Sequence, residues 1–190
     1  RRALIEGLER ALDDRAVRAI VITGTDRVFS GGADIREFNT PAALAEPNLL
    51  QLIEAIERSP KAVIAAINVV CMGGGLELAL GCNYRIATPD ATLGLPEVKI
   101  GLLPGAGGTQ RLPRAVGAEK SLRMIVSGDP ISAKEARAGG LVERVVSRDS
   151  FADVLKFVAE VAGRGAHPRL RDTTVALPPV GGVVVGDGSL

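Results

Sequence analysis

Two carboxylates and three small-residue turns carry the chemistry this sequence offers. Glu77 follows three consecutive glycines, Gly73, Gly74 and Gly75, in the stretch CMGGGLELAL. Glu97 follows Leu95-Pro96 and precedes a second glycine-rich loop, Pro104 to Thr109. An earlier turn reads Ser30-Gly31-Gly32-Ala33-Asp34. Glycine keeps no side chain between backbone and ligand, and it reaches angles other residues avoid. A helix start adds unpaired N–H groups and the positive end of the helix dipole. Amides from two such turns could hold one developing oxyanion, with Glu77 and Glu97 sharing a water. Each feature alone also has a plainer explanation. Glu77 could be a solvated residue after a tight turn, Asp34 a helix cap, and Glu97 an exposed loop charge. Histidine narrows the choice: His167 is the one histidine, in a Pro/Gly-rich stretch. That argues against a Ser-His-Asp or Cys-His site and against a His-ligated metal. Acid–base chemistry must rest on carboxylates, lysines or backbone groups.

The elements that would position these groups follow from periodicity. Apolar positions at Leu4, Ile5, Leu8, Ala11 and Leu12 have helix spacing over residues 2–14. Residues 17–23 form a β-branched run that reads as a buried parallel strand. A loop containing the Ser30–Asp34 turn follows, over residues 25–39, and then an amphipathic helix over 48–59. Residues 61–70 read as one second buried strand, and the next helix opens at Gly75. Residues 84–87 and 91–95 flank a Thr-Pro-Asp turn. Helical pieces are expected over 110–116, 119–126 and 132–138, the last with Ser132 and Glu135 at capping-box spacing. A strand-like run over 141–146 and a final helix over 151–162 complete the pattern. In such an α/β arrangement, loops leaving the carboxyl ends of neighbouring strands meet in one crevice.

Composition excludes several classes. The 190 residues are 46% hydrophobic and 24% charged, as in an ordinary globular protein, with 23 basic and 22 acidic residues giving a net +1. Nothing there calls for nucleic acid or an anionic membrane. The first helix mixes Arg2 and Arg10 with Glu6, Glu9, Asp13 and Asp14, so no basic stripe for RNA appears. Aromatic residues, at 3%, are too sparse for base stacking. Two cysteines, Cys71 and Cys82, make no disulfide framework and suit a reducing, cytoplasmic setting. No apolar run approaches the roughly 20 residues of a membrane span, and no signal peptide is visible.

Three motifs in order, Gly32-Ala33-Asp34, Gly73 to Leu78, and Pro96 to Leu112, resemble those of the enoyl-CoA hydratase/isomerase (crotonase) superfamily. The similarity covers about residues 4–162. CMGGGLELALGCNYRIA followed by LGLPEVKIGLLPGAGGTQRLPR looks most like the hydratase part of bacterial multifunctional fatty-acid oxidation enzymes. The resemblance implies an α/β crotonase (ClpP-like) fold, a stacked ββα superhelix with mostly parallel sheets. It implies a core over 1–128, a C-terminal helical part over 129–163, and a linker or poorly ordered tail over 164–190.

By the same resemblance, the N–H groups of Ala33 and Gly74 would hold the thioester oxygen of an acyl-CoA. Glu77 would act as base on the attacking water, and Glu97 would exchange the α-carbon proton. Gly105 would help position the water. Ala33, Asp34, Ile35 and Arg36 would lie along the CoA, with Arg36 near its phosphates. No metal or redox cofactor is implied, because the thioester itself activates the α and β carbons. Two glutamates favour hydration, with double-bond isomerisation as a second activity of the same pocket. Relatives form trimers or hexamers, or belong to longer chains with a dehydrogenase domain. Three departures stand out. Relatives usually begin with an additional strand and hairpin, so an incomplete, inactive or merely binding fragment is the alternative. They usually have Gly where this chain has Val69, and Pro where it has Ala62. A β-branched residue at 69 suits the position poorly if the backbone angle there is positive.

Overall fold

Short apolar runs become the strands of two small sheets. The computed structural model describes residues 1–25, 28–37, 40–41, 45–147 and 151–175. In chain order the elements are α1 (Arg2–Asp13), β1 (Ala19–Thr23), α2 (Leu49–Glu57), β2 (Ala62–Ile67), β3 (Val70–Met72), α3 (Gly74–Gly81), β4 (Tyr84–Ala87), β5 (Thr92–Gly94), α4 (Gly108–Val116), α5 (Ala118–Ser127), β6 (Ile131–Ser132), α6 (Ala133–Ala138), β7 (Arg144–Val145) and α7 (Phe151–Ala162). The larger sheet has the order β1-β2-β4-β7 and is wholly parallel. The smaller has the order β3-β5-β6, parallel then antiparallel. The expected α/β class with mostly parallel strands is what forms.

Strand β2 explains why its sequence shows no polar alternation. Side chains alternate faces along a strand, and both faces of β2 are covered. Val63, Ala65 and Ile67 join the core of Leu52, Ile53 and Ile56 from α2 with Leu76 and Leu80 from α3. Ala62 and Ile64 pack the other way, with Tyr84, Ile86, Phe157 and Val161. Each fully buried Leu or Ile contributes on the order of 1.5–3 kcal/mol. Lys61, just before β2, donates from Nζ to the carbonyls of Ala11, Leu12 and Asp14 at 2.6, 2.9 and 2.8 Å. It thereby satisfies the C-terminal end of α1 and ties that helix to the sheet.

Residues 61–70, expected as one strand, are two. The chain breaks at Asn68–Val69 and passes from the larger sheet to the smaller. Val69 has a φ of 51°, the left-handed conformation that its side chain disfavours. Three bonds hold it there. Thr92 donates to the Val69 carbonyl from its amide at 2.8 Å and its hydroxyl at 3.1 Å, and Val69 N donates to Thr88 Oγ1 at 3.5 Å. The run over 141–146 pairs only at Arg144–Val145, while Leu141 and Val142 are buried in the preceding turn. The expected capping box of Ser132 with Glu135 opens α6, and a second, of Asn48 with Gln51, opens α2.

Residues 164–175, expected within a linker or tail, lie against the core. Asn83 donates from Nδ2 to the Pro168 carbonyl at 3.1 Å, and Arg164 stands over the Tyr84 ring at 5.4 Å. A 3-10 turn, Leu170–Asp172, packs by α4. The remainder of that expected tail, 176–190, lies outside the described residues, as do 26, 27, 38 and 39 of the expected loop.

Candidate active site

The two small-residue turns meet because a single parallel bridge joins them. Ser30 N donates to the Val70 carbonyl at 3.0 Å, and Met72 N to the Ser30 carbonyl at 2.9 Å. Helix α3 starts so close that a Cβ on Gly75 would stand 2.5 Å from Ser30 Cβ. Its N-cap, Gly73, has a φ of 53°. A Cβ on Gly32 would stand 3.5 Å from Gly74 N, and one on Gly74 would stand 3.8 Å from Ala33 N. The Ala33 and Gly74 amides thus belong to one small region. Among the described residues neither donates a hydrogen bond, as expected for Gly74, the first residue of α3, while Ala33 lies in the loop before the 3-10 turn.

Glu77 lies in the first turn of α3 and is buried. Its Oε1 accepts from Ala106 N at 2.7 Å and Gly108 N at 2.8 Å. Those amides come from the loop opening α4, whose N-cap Gly107 has a φ of 94°. Burial raises the Glu77 carboxyl above its ordinary value, while the two amides and the Arg111 charge pull it back. Glu97 sits on a 3-10 turn, Pro96–Ile100, ended by left-handed Gly101. Lys99 pairs with Asp129 at 2.7 Å, and Val98 packs against Gly128, so the end of α5 holds the turn. A Cβ on Gly73 would stand 3.2 Å from Glu97 Oε1. Glu97 Oε2 is buried with no hydrogen-bond partner among the described residues. Burial, and then the negative Glu77, raise the Glu97 carboxyl; its own amide pulls the other way.

Ala33, Gly74, Glu77, Glu97 and Gly105 line one cavity of about 660 Å³. Ile35, Leu49, Ile100 and Leu103 give it apolar walls. Asp34 and Arg36 are not among its lining residues. Arg36 instead grips Asp34 with Nε and Nη2 at 2.9 and 2.7 Å and keeps the Asp34 carboxyl below its ordinary range. Asp34 also accepts from Arg36 N at 3.0 Å, the capping contact of a short 3-10 turn. Among the described residues no group of three His, Cys, Asp or Glu could hold a metal ion.

The sequence matches the enoyl-CoA hydratase/isomerase family over residues 1–168. The chain belongs to that family. It is 47% identical over 180 residues to the peroxisomal bifunctional enzyme of Danio rerio, covering 94% of this chain and 25% of that protein. It is 47% identical over 173 residues to a probable enoyl-CoA hydratase of Bacillus subtilis, covering 86% of this chain and 66% of the relative. The crystal structure of an enoyl-CoA hydratase from Bacillus anthracis superposes with a TM-score of 0.79 at 35% identity, covering 86% of this chain and 66% of that one. The chain therefore spans a quarter to two thirds of these relatives, and its fold is the crotonase fold. No described helix is long and apolar enough to cross a membrane.

Behind this cavity lies a charged cluster that the motifs did not announce. Arg111 of α4 donates from Nε to Glu57 Oε1 at 2.8 Å and from Nη1 to the Ala106 carbonyl at 3.0 Å. Glu57 is 3% exposed and Arg111 8%. Arg171 reaches the other Glu57 oxygen at 3.2 Å. One signal was present in the sequence. Glu57 follows Ile53 by four residues, which places a charge on the apolar face of α2.

Proposed function

We propose that the chain is an enoyl-CoA hydratase, adding water across the 2,3 double bond of a 2-enoyl-CoA. The observation that carries this reading is the convergence of two unengaged amides and two carboxylates in one cavity. The thioester oxygen would accept from Ala33 N and Gly74 N, and those donors strengthen as the oxygen gains enolate charge. Glu77, ionised and oriented by two amides, takes a proton from the water as it attacks the β carbon. Glu97, whose raised affinity for protons suits an acid, delivers a proton to the α carbon. Gly105 leaves room for the water, since a Cβ there would meet nothing within 4 Å. The thioester supplies the electrophile, so the reaction calls for no metal or redox group.

A second reading is migration of a 3,4 double bond to the 2,3 position. Glu97 Oε2, which lacks a partner among the described residues, favours it as a one-carboxylate proton shuttle. The assay that tests both follows the conjugated-thioester absorbance, which falls on hydration of crotonyl-CoA and rises on isomerisation of a 3-enoyl-CoA. Glu77→Gln and Glu97→Gln should each lower kcat for hydration by about 10²–10⁴. Hydration that survives both substitutions rules the mechanism out. Two buried, unpaired thiols, Cys71 and Cys82, fit a reducing compartment.

A further inference from the structure

We propose, on the basis of the hydratase reading, that Arg111 is a positioning residue for Glu77, with Glu57 holding its guanidinium in place. Three contacts support the assignment. Arg111 Nη1 binds the Ala106 carbonyl, and the amide of that same residue is one of the two that hold Glu77 Oε1. The guanidinium packs directly on the Cα of Gly107, the residue between the two donating amides; a Cβ there would collide with Nη1. Glu57 takes the remaining face through Nε, and Arg171 anchors the second Glu57 oxygen from beyond α7. The loop that aims Glu77 is thus clamped from behind by one side chain.

Its charge faces the same way. The charged groups near Glu77 include Arg111 from α4 and Glu97 from the 3-10 turn, and Arg1 and Lys99 also line the cavity. Glu57 from α2 and Arg171 stand on the far side of Arg111. A buried cation on this side favours the ionised Glu77 that a base requires. An ion pair that only filled the core would explain burial, but not the bond to the Ala106 carbonyl.

The test is a pH profile of crotonyl-CoA hydration for the parent chain, Arg111→Lys, Arg111→Met and the double variant Glu57→Gln/Arg111→Met. The double variant removes both buried charges, so it leaves no orphaned carboxylate to prevent folding. In it kcat should fall about 10²-fold, the loss typical of a misplaced catalytic group, while KM changes less than about twofold. Its acid limb should move to higher pH, because Glu77 loses the charge that favours ionisation. Arg111→Lys keeps the charge, so its limb should stay in place while kcat remains reduced. A folded double variant with the parent's limb and kcat overturns the proposal. A parent chain that hydrates nothing overturns the hydratase reading instead. In that case ¹³C NMR titration of Glu77 in parent and double variant still decides, since an unmoved midpoint rejects the role of Arg111.

Discussion

In the proposed mechanism, Glu97 sets function against stability. It is partly buried beside another carboxylate, and one of its oxygens has no partner among the described residues. Because its folded-state affinity for a proton is raised, the folded state binds the proton more tightly than the unfolded chain does. Stability therefore falls as pH rises from the ordinary carboxylate range through the raised value. Glu97→Gln removes that loss. Calorimetry at pH 7 should show a higher Tm for Glu97→Gln than for the parent chain, even as the proposed hydration is lost. The gain should vanish below the ordinary carboxylate range; an equal gain at all pH values contradicts the account. Gly107→Ala works in the opposite direction. It forces a side chain into a left-handed position, costing about 1–2 kcal/mol, and against the Arg111 guanidinium, so both Tm and kcat should drop. Glu77 and Glu97 were readable in the sequence because each sits in a local motif. The Arg111–Glu57 pair was not, because its partners are 54 residues apart and only folding joins them.

At the scale of elements, the informative position is Val69. A β-branched residue held at a φ of 51° stores strain of about 1–3 kcal/mol. Val69→Gly relieves it, against a backbone entropy cost of roughly 0.5–1 kcal/mol. Tm should rise by a few degrees, and a decrease on calorimetry would show that the half-buried Val69 side chain contributes more than the strain costs. The same residue explains why the sheet change was hidden. Residues 61–70 are almost uninterrupted in apolar character, and a run buried on both sides of a break looks like one long strand. Nothing in local propensity announces a left-handed valine; only comparison with the glycine usual there did so. Helices were easier, since their caps are local: the Ser132–Glu135 box formed where its spacing placed it.

Across the whole molecule, the segment after α7 closes the back of the core. Asn83 uses Oδ1 to accept from Val63 N at 2.8 Å and Nδ2 to hold Pro168, so one side chain links β2 to that segment. Removing residues 164–190 leaves Nδ2 without that partner and Glu57 without Arg171. A loss of about 1 kcal/mol is expected for the Asn83 hydrogen bond alone, measurable by urea unfolding. Gly and Pro made the segment look patternless, because side chains on the core, not periodic self-contacts, hold it. The bridge between Ser30 and Cys71 has a wider consequence. The Ala33 and Gly74 amides are brought together by a rung of the β-ladder, with Gly32 N also donating to Ser30 Oγ at 3.2 Å. On the proposed reading, substitutions along the cavity can change what enters and which proton moves while the backbone grip on the carbonyl oxygen is kept. On that reading, the scaffold keeps the backbone part of its chemistry apart from the side-chain part.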